Sequence, residues 1–569
     1  MASLNYSQSC STQEGIGFAY NLTEFANATL KDETQSEVAI VGFATAASTL
    51  IILFADVLLS LEYKKRGSSS LWTRLLKQLT AKNASRTVVL TLLVLVLPLV
   101  LVFLFLALVY KVLCLVVIKR KDEHFVEFLD SFDVFWSLED DTSKSTINAL
   151  GVIESDSPVI IANSIKDKLQ NIYQSDRIRK IFYRRSQELG FYYWRKYSLV
   201  DMNQYVEVIE VPDKRDLQIV DLENLMTELQ KQALPYEDEG LFKILITKQT
   251  VGKCFKERGD YGIIFRIHHS VGDGAALIQL LCQSFADNSD CCQVNWFSFP
   301  DGCSKRDSPG NLIDMMRKLC DIPIRFVDGI IRKPDDSVLH GPGLLGTKVF
   351  KWTQSDENLL TMVKEIKDNV ENLNFTDVLL TALSKGLRDF FTQKLARVPE
   401  EVAVILPIRF PKTLSIKSNT KLKNDFSVTI LDVPVQENNF SIIKKRCNLL
   451  RSSADPLTNF YFLKLVCSVL PRSILQPLLN SSQATMVFSN LPGPETLRIC
   501  GGNVLKSLVF FVPHKGNTGL AVTALCYGGV LQFAAMADTA LVSSAQDLGL
   551  ILDGMIDEIH LLHHLYSNK

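Results

Sequence analysis

The stretch that most restricts what this chain can fold into is His268-His269-Ser270-Val271-Gly272-Asp273-Gly274. Before it runs Tyr261-Gly262-Ile263-Ile264-Phe265-Arg266-Ile267, which has strand character. After it runs Ala275-Ala276-Leu277-Ile278-Gln279-Leu280-Leu281, which has helical character. A strand must end where the two histidines sit, and a helix must begin within a few residues, across a turn that Gly272 and Gly274 permit. A strand end is a rigid mount. An imidazole fixed there is suited to removing a proton near neutral pH. Asp273 opens the helix, where a carboxylate serves as a helix-start residue or as the partner of an arginine.

The chain has 569 residues, too many for one core, so two or more folding units are expected. Lys and Arg number 61 against 62 Asp and Glu, a balance that leaves no footprint for nucleic acid. The 12 cysteines include no CxxC pair and no zinc-type spacing, which suits a reduced compartment for the main body. His560, His563 and His564 share a face of the last helix and read as a solvated helix end, so no metal is expected.

Residues 1–37 form a polar tail with three glycosylation-type triplets, at Asn5, Asn21 and Asn27, which suggests a lumenal or extracellular end. Residues 38–61 are apolar and long enough to span a bilayer, with Asp56 the exception. The loop 62–87 carries Lys64, Lys65, Arg66, Arg74, Lys77, Lys82 and Arg86 and is expected in the cytosol. A second apolar run, 88–118, contains Pro98 and Lys111 and closes on Lys119-Arg120-Lys121. It either crosses once or turns back at Pro98 as a re-entrant hairpin, and the closing basic triplet favours the hairpin.

From 122 onward the composition is that of a soluble protein. Residues 157–190 read as helix-rich; 205–211 and 241–247 read as strands. Residues 284–345 hold most of the irregular chain and act as a linker, with a helix near 312–320. A second half begins at 346. It has helices over 375–391 and 545–565 and strands over 402–408, 426–433, 485–488, 507–512, 519–527 and 530–536. The irregular mixture predicts α/β layers on mixed sheets, in halves 122–345 and 346–569.

With these stretches in order, residues 122–569 resemble the wax ester synthase / diacylglycerol acyltransferase family of the bacterial and plant bifunctional type. Leu129-Asp130-Ser131-Phe132-Asp133 looks like its N-terminal signature, and His268 to Gly274 like its active-site motif. Thr376-Asp377-Val378-Leu379-Leu380 stands where the family has an Asn-Asp-Val-Leu run. Pro407-Ile408-Arg409 resembles its Pro-Val-x-x-Arg strand end, and Asn424 falls in its Gly-Asn segment. Ser489-Asn490-Leu491-Pro492-Gly493-Pro494 is close to its Ser-Asn-Val-Pro-Gly-Pro. The chain departs from the pattern at Gly240-Leu241-Phe242, Thr376 and Lys423. The N-terminal membrane region lies outside the resemblance.

The resemblance implies two halves like those of CoA-dependent acyltransferases, with the active site in a tunnel between them. It implies acyl transfer from acyl-CoA, as co-substrate, to a long-chain alcohol or diacylglycerol, with no other cofactor. His269 is then the general base and Asp273 fixes the turn, with Arg409 the candidate partner. Asn490 or a backbone N–H is the candidate oxyanion donor. His268, Gly274 and Asp377 support the site. The protein is expected to be integral to the endoplasmic reticulum or plasma membrane, its catalytic body in the cytosol where acyl-CoA is kept. The competing readings are a condensation-type enzyme using carrier-bound acyl groups and a catalytically dead lipid-binding protein of the same fold.

Overall fold

The structure is a computed structural model that describes residues 81–175, 178–212, 214–252, 258–287, 312–394, 396–408, 422–480 and 483–567. The polar tail, the first apolar run, most of the basic loop and Arg409 lie outside the described residues. The chain divides into two units, one formed by residues up to Pro98 together with Gly310–Gly329, the other by the remainder. The motif lies in the second, larger unit.

The second apolar run is one helix, Ala81–Lys121, which passes through Pro98 without reversing. This corrects the hairpin expectation. A proline removes one backbone hydrogen bond, whereas the Leu and Val turns on both sides keep theirs, so the helix survives. Its part Leu95–Lys121 is 27 residues long and apolar enough to cross a membrane. Leu95, Leu99, Phe105 and Leu113 are exposed along it.

Two mixed sheets organise the larger unit. The first takes the order 498–499, 503–511, 146–155, 259–268, 242–251, 206–209, with 216–217 paired to 242–251 off that path. The motif strand Gly259–His268 is central in it, paired antiparallel to Thr146–Ser155 on one side and Phe242–Val251 on the other. Burial on both faces explains its nearly continuous apolar run. The second sheet takes the order 427–434, 401–408, 486–492, 520–527, 530–538, 348–352. Its central strand Met486–Pro492 is parallel to both neighbours, and the outer pairs are antiparallel. A small third sheet joins 125–128, 191–195 and 184–188.

Strands of the second half cross into the first sheet. Strand Asn503–Phe511 comes from the second half but pairs antiparallel with Thr146–Ser155 in the first sheet, Phe511 opposite Asn148. Below the crossing, Leu150, Leu245, Ile264, Phe350, Val509 and Met536 form one buried cluster drawn from both sheets. The halves therefore share core as well as chain.

On the outer face of the second sheet, helix Phe375–Gln393 lies against the closing helix Ala545–Tyr566. They meet at glycines. A Cβ on Gly386 would stand 2.2 Å from the Ile551 carbonyl oxygen, and one on Gly554 2.8 Å from Gly386 Cα. Gly386→Ala should therefore push the helices apart and destabilise the fold by about 1–3 kcal/mol. A urea melt showing no loss would mean that the helices separate freely.

Candidate active site

The site is assembled where the motif strand ends. The His269 N–H donates to the Ser145 carbonyl at 2.7 Å, and the His268 N–H to that of Leu241 at 2.8 Å. The backbone of both histidines is thus clamped by neighbouring segments of the first half. The ring of His269 is buried and stacked on Trp136, with centroids 3.8 Å apart and planes 10° from parallel. Phe426 of the second half stands 5.9 Å from it.

One polar partner sets the chemistry of this ring. Its Nδ1 lies 3.1 Å from the side-chain oxygen of Asn424. The Asn424 amide nitrogen donates to Asp133 Oδ1 at 2.9 Å and to the His269 carbonyl at 2.7 Å. Two acceptors on the nitrogen side fix which way the amide faces, so its oxygen meets the ring. That network assigns the ring proton to Nδ1 and leaves the lone pair on Nε2, which has no hydrogen-bond partner among the described residues. Asp133 is held in turn by Lys180, whose Nζ donates to Oδ2 at 2.6 Å. Lys180, Asp133 and Trp136 belong to the first half and Asn424 to the second, so the ring sits on the junction.

The helix Ser131–Ser137 explains how two of these groups arrive together. Asp133 and Trp136 are three residues apart on one face and both are buried. Asp133 is pushed up to about 6 by burial, against the pull of Lys180. Burial lowers His269 to about 3, so the ring is neutral at physiological pH. Beside it Lys515 donates to the Leu138 carbonyl at 2.7 Å and lies 4.7 Å over the Phe135 ring. Burial brings this lysine down to about 7.

His268 has a different setting. Its Nε2 is 2.8 Å from Arg185 Nη1 and 3.4 Å from Glu139 Oε1, and its Nδ1 accepts from the Ser270 N–H at 3.1 Å. Arg185 and Glu139 pair at 2.6 Å. Both ring nitrogens are engaged, which fits a packed neighbour and leaves no nitrogen for a substrate proton. Burial lowers it to about 4.

Asp273 caps the helix Gly274–Leu280 by accepting from the Ala276 N–H at 2.9 Å. Its second oxygen accepts from the Asp425 N–H at 3.1 Å, beside Asn424. Among the described residues it forms no ion pair; Arg409, its expected partner, lies outside them. The carboxylate instead stitches the motif turn to the loop that carries Asn424. Gly274 is required by a neighbour, since a Cβ there would stand 2.4 Å from Leu491 Cδ1. Leu491 follows Asn490 on strand Met486–Pro492, so that strand end lies against the motif turn. Asp377 belongs elsewhere. It closes a capping box with Asn374 and forms two 2.8 Å bonds to Arg451, tying two helices of the second half together. Its part is structural, and it is not brought to the histidines.

The motif signals His269 and Asp273. Asn424, Asp133, Trp136, Lys180 and Lys515 join the site only in the folded chain. The spacing of Asp133 and Trp136 on one helix was the available clue.

Three buried imidazoles, His268, His269 and His514, have folded-state values of about 4, 3 and 3, below the unfolded value of about 6.5. Below pH 6.5 the unfolded chain takes up protons that the fold refuses. Stability then falls with pH by about 1.4 kcal/mol per unit for each imidazole. Asp133, raised to about 6, acts oppositely between about pH 4 and 6 and offsets one of the three. Thermal melts should therefore drop between pH 6.5 and 4.5, and less steeply in His269→Asn. Parallel curves would place the proton uptake elsewhere.

Residues 422–562 match the family model described as the WS/DGAT C-terminal domain. No curated protein sequence matches the chain. Among solved structures, the chain is similar to a wax ester synthase/diacylglycerol acyltransferase from Marinobacter aquaeolei VT8. The TM-score is 0.52 and the identity 14%, over 77% of this chain and 100% of that one. It is also similar to the trichothecene 15-O-acetyltransferase TRI3 from Fusarium sporotrichioides. There the TM-score is 0.51 and the identity 11%, over 76% of this chain and 94% of that one. At these identities the likeness speaks for the fold.

Proposed function

We propose, from the match of residues 422–562 to the WS/DGAT C-terminal domain, that the chain is a member of that acyltransferase family and a membrane-bound O-acyltransferase moving a fatty acyl group from acyl-CoA to a lipid alcohol. The observation that carries the reading is the His269 ring. It is neutral, held by Asn424 across the junction of the halves, and has its Nε2 unengaged among the described residues.

An alcohol attacks a thioester poorly unless its proton leaves during attack. His269 Nε2 accepts that proton as the alcohol oxygen bonds to the thioester carbon. Negative charge collects on the carbonyl oxygen, where Asn490 or a backbone N–H beside the motif turn supplies a hydrogen bond. The carbon–sulfur bond then breaks and the imidazolium returns the proton to the departing CoA sulfur. The neutral ring is the form this cycle starts from. Asp273, Gly274 and His268 keep the strand end in register. The exposed apolar helix Leu95–Lys121 supports anchoring in a membrane. Its closing triplet Lys119-Arg120-Lys121 supports a cytosolic body, where acyl-CoA is found.

The test is to incubate membranes carrying the protein with labelled acyl-CoA and a panel of long-chain alcohols, monoacylglycerols and diacylglycerols, and to read products by mass. Ester formation that depends on His269 is expected. No ester from any acceptor, with lipid still bound, would make the protein a lipid binder of this fold.

A further inference from the structure

The long apolar helix does not stand clear of the catalytic body. Leu104, Ala107, Lys111, Cys114 and Ile118 recur three and four residues apart, so they share one face of Ala81–Lys121. That face lies on the body. Ala107 belongs to a buried core cluster and Leu104 packs against it, while Cys114 and Ile118 are buried with Phe191 and Tyr193. Lys111, the cation that interrupts the apolar run, donates across this seam to the Ser468 carbonyl at 2.7 Å and lies 5.1 Å over the Phe128 ring. The Tyr110 hydroxyl donates to the Leu189 carbonyl at 3.3 Å, and Lys121 pairs with Glu188. From Leu104 to Lys121 the seam runs about 25 Å, at ~1.5 Å per residue. The opposite face of the helix, with Phe105, Val109, Val112, Leu113 and Val116, is exposed.

Apolar surface continues off the helix onto the body. Leu189 is at the tip of the turn between strands Arg184–Glu188 and Phe191–Arg195. It is exposed and holds a φ of +50°, which a leucine rarely adopts. A turn tip facing water favours Asn, Asp or Gly. The next residue, Gly190, accepts from the Arg472 N–H at 2.8 Å. That bond brings in helix Arg472–Leu479, which buries Leu475 and exposes Ile474 and Leu478 one turn apart. We propose that this flank, formed by the outer face of the apolar helix with Leu189, Ile474 and Leu478, is the surface on which the catalytic body rests in a lipid leaflet. The surface depends on the membrane-bound part of the proposed function and not on acyl transfer. A helix held to the body along this seam cannot enter hydrocarbon without drawing the flank beside it against the same lipid. The cations fit that placement. Lys111 is satisfied by protein inside the seam. Lys119-Arg120-Lys121 close the helix as an exposed basic cluster, suited to anionic headgroups.

Photo-crosslinking of the full chain in vesicles of phosphatidylcholine and phosphatidylserine tests this. Benzoylphenylalanine replaces Leu113, Leu189, Leu478 or Leu561 singly, and adducts are read by mass after illumination. Leu561, on the closing helix, is 49% exposed against 48% for Leu478 and serves as the reference. Positions 189 and 478 should give lipid adducts at about tenfold the yield at 561, approaching that at 113. Yields at both no higher than at 561, with 113 labelled, overturn the docking surface and leave the membrane anchor standing. Lack of lipid at 113 as well removes the membrane-bound reading and the proposal with it. Adducts to a second copy of the chain in place of lipid assign the flank to an oligomer and overturn the proposal too. Thermal melts show whether each variant is folded, and position 189 or 478 alone decides if the other misfolds.

Discussion

His269→Ala is expected to lower kcat by about 10²–10⁴-fold, the usual contribution of a positioned general base. The fold should survive the change. The ring lies flat on Trp136 and bonds to one side chain, so its removal leaves a slot beside an aromatic face rather than an unpaired charge. His268→Ala should behave differently. It removes a partner of Arg185 and Ser270 and should lower Tm more than it lowers kcat. Esterification rates at saturating alcohol, beside thermal melts, separate the two. Wild-type turnover in His269→Ala would exchange the roles of the histidines.

Asn424→Leu comes next in size. The side chain fills the same space but withdraws the acceptor from His269 Nδ1 and the donor from Asp133. The ring is then free to tilt and to carry its proton on either nitrogen. Misplacing a catalytic group by about 1 Å costs on the order of 10²-fold, and a loss of that size is expected in kcat with KM nearly unchanged. Asn424→Gln should recover part of it. A rise in KM alone would mean that Asn424 touches the substrate instead of the base.

Much of the fold could be read from pattern. The motif strand, the helix from Phe375 and the closing helix emerged from periodicity within a few residues of their observed bounds. Strand Thr146–Ser155 was missed. Its sequence, TINALGVIES, has Asn, Ala and Gly in the middle, poor strand formers that are held because the motif strand and Asn503–Phe511 flank them. Residues 157–190 were read as helix-rich, yet after Ser175 the chain turns into the strand pair of Arg184–Glu188 and Phe191–Arg195. The aromatic run Phe191-Tyr192-Tyr193-Trp194 carried that signal.

The site divides in the same manner. His269 and Asp273 are local to one turn and carry a recognisable spacing. Asn424 is 155 residues from His269, and its amide is meaningful only once the halves close. No window along the chain contains both. Asp377 shows the converse. Its place in a family-like run suggested the site, whereas burial against Arg451 makes it part of the scaffold.

The unbroken helix through Pro98 also fixes a parity. A helix that does not turn back, if it crosses a bilayer, crosses it once. If the run 38–61 crosses as well, the total is two, and the tail and the catalytic body share a side. An outside tail, a crossing at 38–61 and a cytosolic body then cannot all hold. Glycans on Asn5, Asn21 or Asn27 of a protein whose body is protease-accessible from the cytosol would show that 38–61 stays on one face. Bare asparagines with a cytosolic body would put both ends inside and carry the basic loop 62–87 across.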